Sequence, residues 1–448
     1  MPRSNSFSPS EERGAKVETM IKKILKRIIP LKILNSYYQA FPALGAFLYR
    51  FPSKKLIVIG VTGTNGKSTV IQLITNILKQ AGFKVASISS VRFQINDEEW
   101  QNDLKMTMPG RLKVQKFLRK AVNARCKYAV LEITSEGIKQ FRHKFINFNT
   151  AVFTNLTKEH IEAHKGFENY RKAKGELFNT TGLKTIIVNE DDKNAEYFLH
   201  FKAGEKWGYG IENRKSKIEG QKFVGAVDIR MATDGANFTV EDTQFHLKLL
   251  GRFNIYNTLA AICVGFSEGV SLEVSKQALE KMDGVTGRME LVIKEPFKVF
   301  VDYAHTPDAL ENVYKTLAGS RLICVLGSCG GGRDRWKRSE FGRLAANYCS
   351  QIILTNEDPY EERPQKILEE IEKGILEYKT PNINHQLIFN RRGAIKEALS
   401  LAKHGDIVII TGKGSEPWMC VADGKKIPWD DRKIVRKEMK KLNLKNRK

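Results

Sequence analysis

The sequence predicts an α/β protein with a central P-loop-type domain built on a mostly parallel sheet, a C-terminal Rossmann-like α/β domain and a short helical N-terminal segment. Two observations lead to this fold class. From residue 55 onward, short apolar runs rich in β-branched residues alternate with longer amphipathic stretches, which is the pattern of successive βα units. Each apolar run ends in polar or glycine-rich residues, as strands do at the sheet edge where ligands bind.

Residues 1–54 are the first predicted element, a short basic helical segment. Its most apolar stretch, residues 28–51, is interrupted by two prolines and by Lys32 and Arg50, whereas a membrane-spanning helix needs about 20 predominantly apolar residues. We therefore expect no transmembrane segment. Residues 17–49 still combine basic and apolar positions in the manner of a peripheral element that lies on a membrane surface.

The central domain is predicted to cover residues 55–285. Residues 56–60 form its first strand, which runs into a glycine-rich loop. Residues 67–80 then form a helix, because Val70, Leu73, Ile74, Ile77 and Leu78 fall on one face. Further strands are predicted at residues 84–89, 128–133, 150–155 and 185–189.

The C-terminal domain is predicted to cover residues 286–448. Its strands are expected at residues 298–301, 321–326, 351–355 and 406–411. Nine of the last seventeen residues are basic and one is acidic. A tail of this composition is most often a solvated end.

Length and composition bound the class of protein. The chain has 448 residues, and domains of roughly 150 residues give an expectation of about two to four. Hydrophobic residues make up 42% of the chain, which excludes global disorder. The net charge of +24 favours a polyanionic partner, whether nucleic acid, anionic lipid or a phosphorylated substrate.

The cysteines and the first residues of the chain indicate the cellular compartment. The six cysteines are scattered without a C-x-x-C pair, and the polar start lacks the apolar region of a secretory signal. We therefore expect neither a disulfide framework nor a zinc ribbon, and we expect a reducing cytoplasm.

The loop after the first strand carries the strongest chemical signal. It reads T-G-T-N-G-K-S-T and comprises Gly63, Thr64, Asn65, Gly66, Lys67, Ser68 and Thr69. Backbone N–H groups of such a loop wrap phosphate oxygens, the lysine reaches the β- and γ-phosphates, and the serine hydroxyl binds Mg²⁺. The strict P-loop pattern fails by one residue, because Val61 stands where the first glycine belongs. The strand–loop–helix context still predicts ATP binding.

Two further strand ends supply candidate site residues. Glu132 ends an apolar strand, a position that places a carboxylate oxygen beside the metal of a P-loop. His160 and His164 follow the next strand end, and two histidines within five residues at this edge point to a site.

Ten motifs, in order along the chain from about residue 56 to about residue 423, resemble the Mur ligases. Within that family the resemblance is to the branch that adds the third residue of the peptidoglycan stem peptide. The motifs are T-G-T-N-G-K-S at 62–68, M-T-M-P at 106–109, L-E-I-T-S-E at 131–136, T-N-L-T-K-E-H at 154–160 with His164, Y-R-K-A-K at 170–174, G-R-F-N-I-Y-N-T at 251–258, G-R-M-E at 287–290, D-Y-A-H-T-P-D at 302–308, G-G-R-D-R-W-K-R at 331–338 and G-K-G-S-E at 412–416.

The resemblance implies an ATP- and Mg²⁺-dependent ligase that joins an amino acid to a muropeptide precursor through an acyl phosphate. The implied catalytic residues are Lys67, Lys174 and His160. The implied metal ligands are Ser68, Glu132, His160 and a carbamylated Lys174. Beyond the P-loop, the implied nucleotide contacts are Asn254, Asn257, Arg288 and Asp302. The implied substrate contacts are Thr107, Ser135, His305, Arg333, Asp358 and Glu416.

The sequence departs from the family pattern in three places. Only about 55 residues precede the first predicted strand, where relatives of this kind carry a domain of about a hundred residues for the uridine diphosphate group, so we expect a shortened or absent uridine pocket. Thr134-Ser-Glu136 replaces S-S-H, and Glu159-His160 replaces D-H. Tyr360 replaces the arginine of the D-N-P-R motif, which would clamp a second carboxylate.

We expect lysine rather than meso-diaminopimelate as the added amino acid. The clamping arginine is missing, and the side chains of Glu357, Asp358 and Glu416 are acidic, although Arg363 or Arg391 could supply the clamp instead.

We expect a monomer that binds small molecules and no nucleic acid. Two alternatives stay open. One is a related ligase acting on another carboxylate, similar to folylpolyglutamate synthetase or to the lipid II-amidating MurT. The other is a basic P-loop ATPase that binds nucleic acid through its tail.

Overall fold

Two β-sheets follow one another along the chain in the computed structural model, which describes residues 31–104, 106–212, 216, 220–378 and 384–445. The first sheet has eleven strands in the order β11-β10-β9-β8-β7-β6-β1-β5-β2-β3-β4. Its strands are β1 (Ile57–Thr62), β2 (Val85–Ile88), β3 (Arg92–Ile95), β4 (Glu98–Gln101), β5 (Tyr128–Glu132), β6 (Thr150–Phe153), β7 (Thr185–Asn189), β8 (Glu205–Ile211), β9 (Lys222–Ala232), β10 (Gly235–Val240) and β11 (Thr243–Leu247).

Helices cover both faces of this sheet, so its middle strands are buried on each side. They are α1 (Leu31–Leu48), α2 (Lys67–Gln80), α3 (Arg111–Asn123), α4 (Ser135–Lys139), α5 (Ile161–His164), α6 (Phe167–Gly175), α7 (Ala195–Leu199), α8 (Arg252–Ser267) and α9 (Leu272–Glu280). The predicted apolar face of α2 is fully buried against β1, β5 and α8. Burial of both sheet faces explains the near-continuous apolar runs of β1, β5 and β7.

The second sheet has six strands in the order β12-β13-β17-β14-β15-β16. They are β12 (Glu290–Ile293), β13 (Lys298–Val301), β14 (Leu322–Leu326), β15 (Gln351–Leu354), β16 (Asn384–Leu387) and β17 (Ile407–Ile410), and a hairpin of β18 (Trp418–Cys420) and β19 (Lys426–Pro428) follows. The accompanying helices are α10 (Pro307–Leu317), α11 (Lys337–Tyr348), α12 (Pro364–Glu377), α13 (Arg391–Leu401) and α14 (Asp431–Lys445).

The predicted fold class is confirmed: both sheets are mostly parallel and are flanked by helices. Strand β1 runs parallel to β5 and β6, and strand β17 runs parallel to β13 and β14. The prediction omitted the antiparallel extensions of the first sheet, β10–β11 at one edge and β3–β4 at the other. β4 is exposed along its whole length and β11 mixes exposed with buried positions, so these strands lack the long apolar runs on which the prediction relied.

The N-terminal segment is helical where it is described, in α1, and residues 1–30 lie outside the described residues. None of the helices placed by the structure is long and apolar enough to cross a membrane.

Two expectations need correction. The basic C-terminal stretch is not a solvated end over its described part, because α14 packs on α13, β12 and β13 and buries Val435 and Met439. Cys324 and Cys349 form one buried disulfide, although we expected no disulfide framework. Sequence spacing could not reveal this pair, which meets only because Cys349 comes just before β15, the neighbour of β14.

Candidate active site in a cleft between the two sheets

A cleft of about 920 Å³ lies where the carboxyl ends of β1, β5 and β6 meet loops of the second sheet. Apart from His164, whose Nε2 lies 3.7 Å from Glu136 Oε1, the structure brings the predicted site residues to its lining. These are Gly63, Thr64, Asn65, Gly66, Lys67, Ser68, Thr69, Thr107, Glu132, Ser135, His160, Lys174, Asn254, Asn257, Arg288, Asp302, His305, Arg333, Asp358 and Glu416.

The P-loop is packed so tightly that two of its glycines admit no side chain. A Cβ on Gly63 would lie 1.9 Å from Thr154 Oγ1, and one on Gly66, whose φ is 83°, would lie 2.3 Å from Asn257 Oδ1. The loop then enters α2 at Lys67. The unpaired N–H groups of a helix start attract anions, so the loop fits the phosphates of a nucleotide.

Ser68, Glu132, Ser90 and Thr107 form a chain of hydrogen bonds across the floor of the cleft. Ser68 Oγ donates to Glu132 Oε2 at 2.7 Å, and Ser90 Oγ donates to Glu132 Oε1 at 3.0 Å. Ser90 Oγ also lies 2.9 Å from Thr107 Oγ1. Glu132 is only 3% exposed, so its carboxylate is fixed beside the P-loop hydroxyl.

This donor set fits Mg²⁺. Nowhere in the described parts of the chain do three His, Cys, Asp or Glu side chains cluster as a metal site. Mg²⁺ in nucleotide sites typically takes one or two protein oxygens and fills its octahedron with water and substrate phosphates. The hydroxyl of Ser68 and the carboxylate of Glu132 are two such oxygens.

Two lysines donate to carbonyls of the P-loop. Lys67 Nζ donates to Thr64 O at 2.7 Å, and Lys174 Nζ donates to Gly63 O at 2.6 Å. Burial lowers the pKa of Lys67, and the nearby Glu132 partly offsets this effect. Burial and the charge of Lys67 hold the pKa of Lys174 well below its usual value. Lys174 is therefore easier to deprotonate than an exposed lysine.

A buried ion pair joins the two sides of the cleft next to His160. Lys337 Nζ of α11 lies 2.9 Å from Glu159 Oε1 and donates to His305 O at 2.9 Å. Burial, Arg333 and Lys337 lower the pKa of His160 to about 2, which keeps the imidazole neutral and able to bind a metal. Burial, followed by Lys337, likewise lowers the pKa of His305.

A second link ties the P-loop to the start of α10. Asn65 Nδ2 donates to Asp308 Oδ2 at 2.9 Å, and Thr306 Oγ1 donates to Asn65 Oδ1 at 3.3 Å. The Arg288 guanidinium lies over the ring of Tyr303 at 4.3 Å. The two hydrogen bonds of Asn65 therefore connect the nucleotide side of the cleft to its C-terminal side.

The remaining predicted nucleotide contacts are fixed by local hydrogen bonds. Asn257 Nδ2 donates to Asn254 Oδ1 at 2.9 Å within α8. The carboxylate of Asp302 accepts from the N–H groups of Met289 and Ala304 at 2.7 and 2.6 Å. In both arrangements, hydrogen bonds within the protein fix the orientation of polar side chains that line the cleft.

Lys413 neutralises much of the acidity at the far end of the cleft. Its Nζ lies 2.8 Å from Asp358 Oδ1 and 2.7 Å from Glu416 Oε2. Arg391 cannot act as the missing clamp, because it is fully buried and pairs with Asp431 at 2.7 Å. Arg363 is exposed at the start of α12 and does not line the cleft. Arg333 does line the cleft.

Sequence reasoning missed four residues that shape this site: Ser90, Tyr170, Lys337 and Lys413. Tyr170, Lys337 and Lys413 lie inside quoted motifs, so a signal for them was present. Tyr170 OH lies 3.1 Å from Thr64 Oγ1 and supports the P-loop from α6. The partners of Lys337 and Ser90 were hidden because they depend on contacts between distant parts of the chain.

Comparison with known families agrees with the motifs. Residues 61–265 match the Mur ligase middle domain, and residues 287–414 match the Mur ligase, glutamate ligase domain. A UDP-N-acetylmuramoyl-L-alanyl-D-glutamate–2,6-diaminopimelate ligase from Syntrophomonas wolfei is 38% identical over 88% of this chain and 81% of its own length. One of the same name from Bacillus velezensis is 34% identical over 98% of this chain and 90% of its own length.

Solved structures agree as well. A ligase of the same name is 29% identical, with a TM-score of 0.61 over 90% of this chain and 83% of that one. Mycobacterium tuberculosis folylpolyglutamate synthase, at 16% identity and a TM-score of 0.68 over 84% of this chain and 92% of that one, shares the fold.

The matched family models and the relatives therefore define the class of this protein: a ligase of a family that forms amide bonds with ATP. The chain belongs to the Mur ligase family. The predicted resemblance to the branch that completes the muramoyl tripeptide is confirmed by relatives that carry the name of that activity.

Proposed function

We propose that the protein joins an amino acid to the free carboxylate of a UDP-N-acetylmuramoyl-L-alanyl-D-glutamate acceptor, with release of ADP and phosphate. The names of the relatives support the acceptor. One observation supports the reaction above all: a single cleft is lined both by the P-loop with its Ser68–Glu132 pair and by Arg333 and Asp358 of the C-terminal part. The buried Lys413 pairs with Asp358 at 2.8 Å. ATP and a second substrate would meet in this cleft.

The chemistry requires an activated carboxyl group, because a carboxylate is a poor electrophile. In the proposed reaction a carboxylate oxygen of the acceptor attacks the γ-phosphorus, the bond to the ADP oxygen breaks, and an acyl phosphate forms. The free amine then attacks the acyl carbon, loses a proton and expels phosphate. Both steps gather negative charge that the Lys67 ammonium and the P-loop N–H groups are positioned to stabilise. Bound Mg²⁺ would supply charge neutralisation for the phosphate oxygens.

We propose further that residues 55–285 and 286–448 act as the two domains of this reaction. The Glu159–Lys337 and Asn65–Asp308 contacts support this view, since they connect the nucleotide loop to the C-terminal side. Holding the two reactants in one enclosed cleft lowers the entropic part of the barrier and limits hydrolysis of the acyl phosphate.

The structure weakens the case for lysine as the added amino acid. That preference depended on the missing arginine and on the acids at residues 357, 358 and 416, and Lys413 pairs with the last two of these acids. Two observations favour 2,6-diaminopimelate: it stands in the names of the relatives, and Arg333 offers a guanidinium at the cleft. Lysine is the second candidate, supported by Tyr360 in place of the clamping arginine.

ADP release with purified reactants tests the proposal. The assay offers ATP and Mg²⁺ with the muramoyl dipeptide acceptor and either meso-diaminopimelate or lysine. We expect continued release over many turnovers only when acceptor and amino acid are both present, and faster release with meso-diaminopimelate. Faster turnover on lysine would reverse the assignment of the amino acid. ATP hydrolysis that depends on nucleic acid instead would contradict the ligase reaction altogether.

A further inference from the structure

Helix α1 is fixed on the surface of the central domain by one of its sides. Pro42, Gly45 and Ala46 are buried, and a Cβ on Gly45 would lie only 3.1 Å from Leu112 Cδ2 of α3. The guanidinium of Arg119 donates to Tyr49 O at 2.9 and 2.6 Å. The end of α1 is therefore part of the folded surface.

The last turns of α1, whose side chains the structure describes from residue 40 onward, expose apolar residues on their other side. Leu44, Phe47, Leu48 and Phe51 are 46%, 69%, 59% and 38% exposed. The spacing of Leu44, Phe47 and Leu48 by three and four residues places these three on one helical face. Phe51 follows three residues after the end of the helix. A contiguous exposed apolar surface of this kind marks an interaction site.

The surroundings of this apolar face are basic. Arg50, Lys54 and Lys55 are exposed beside it, and the exposed lysines on the adjoining helix α3 are Lys113, Lys116 and Lys120. The sequence contains no Asp or Glu from residue 19 to residue 96 or from residue 104 to residue 131. Positive charge around the face is therefore not balanced by acids from its own segment.

We propose that this surface docks the protein on a membrane that contains anionic phospholipid. In this arrangement α1 lies in the plane of the interface, its apolar face enters the boundary between headgroups and acyl chains, and the surrounding lysines and Arg50 meet lipid phosphates. The proposed contact is made by the exposed face of α1, and none of the described helices could span a bilayer. A second copy of the chain fits less well, because it would bring the same positive charge against itself.

Vesicle sedimentation of the full-length protein tests this inference. We expect the protein to sediment with vesicles of phosphatidylcholine and phosphatidylglycerol, to remain in solution with phosphatidylcholine alone, and to dissociate as salt is raised. Binding of equal strength to both vesicle types, or to neither, would overturn the proposal.

Two variants and a matched control locate the surface. The double substitution F47S/L48S should weaken binding to the mixed vesicles by at least about tenfold, and K54E/K55E should do the same. L376S changes an apolar residue of α12 that is 65% exposed, and it should bind as the wild type does. Circular dichroism and thermal unfolding establish that each variant is folded.

Two results would contradict the location. If F47S/L48S binds as tightly as the wild type, another segment makes the contact. If light scattering shows a wild-type dimer that F47S/L48S converts to a monomer, the face is an interface between copies of the chain.

Discussion

Lys413 donates to both carboxylate oxygens of Asp358, at 2.8 and 2.9 Å, with both side chains fully buried. The carboxylate also accepts from the N–H of Cys420 at 2.8 Å. Asp358 is therefore anchored before any substrate arrives, and its charge is shared with an internal cation. The end of the cleft that was expected to be strongly acidic is close to balanced.

We predict that Lys413→Met destabilises the protein by about 3 kcal/mol, because the substitution leaves a buried carboxylate without its cation. The free energy of unfolding, measured in urea, gives the value. Lys425→Met is the control, since that exposed lysine lies 3.6 Å from an exposed Asp423 and should change stability by less than about 0.5 kcal/mol. The pair is unimportant for stability if both variants unfold alike. Adding Asp358→Asn to Lys413→Met should recover part of the loss.

Lys67→Ala should lower the rate of ADP formation by at least about a hundredfold, because the ammonium acts on developing phosphate charge. The substitution should leave the melting temperature nearly unchanged, since it removes little packed apolar surface. Lys79→Ala, on the far end of the same helix α2, should retain wild-type turnover. Normal activity in Lys67→Ala would refute the P-loop assignment.

We predict that Lys174 is carbamylated in the active enzyme. Its lowered pKa supplies the neutral amine that attacks CO₂, a C–N bond forms, and a proton is released. The modification would exchange a cation for an oxygen ligand of the kind that Mg²⁺ prefers. Protein equilibrated with ¹³C-bicarbonate should show a carbamate resonance that Lys174→Gln lacks and that Lys172→Gln, on the exposed side of α6, retains. A crystal structure with metal, nucleotide and an unmodified Lys174 would count against the assignment.

His143 should make the protein sensitive to acid. Burial lowers its pKa to about 4, below the unfolded value of about 6.5. Between these two values the unfolded chain binds a proton that the folded chain refuses, so stability falls as pH decreases from about 6.5 to about 4 and the loss ends below that range. The loss amounts to about 3 kcal/mol. Unfolding of wild type and His143→Leu across this range should show a smaller pH slope in the variant. Equal slopes would mean that another group, such as His160, accounts for the effect.

The sequence was sufficient to predict those strands whose two faces are both buried. β5 and β7 are entirely buried, and their continuous apolar runs are visible without a structure. β16 reads Asn-His-Gln-Leu and is partly exposed, so neither its composition nor its periodicity distinguishes it from a loop. β9 alternates irregularly between buried and exposed positions. Its place in the sheet depends on pairing with β8 and β10.

The candidate site follows the same division. Lys67, Ser68 and Glu132 were predictable because the loop is contiguous and the carboxylate ends a recognisable strand. The link between Glu159 and Lys337 was not, because the two residues are 178 positions apart in the chain. The preference for lysine as substrate was affected in the same way. It depended on the acidic side chains, and the sequence does not show that Lys413 pairs with two of them.

The order of strands in the second sheet has a consequence for protein synthesis. β17 leaves the ribosome after every other strand of that sheet, yet it lies between β13 and β14 in the middle of it. The eleven-stranded sheet has all its strands once residue 247 has been made. A nascent or truncated chain that ends before residue 407 would therefore carry a complete first sheet while the apolar edges of β13 and β14 wait unpaired. Such edges are open to pairing with other chains.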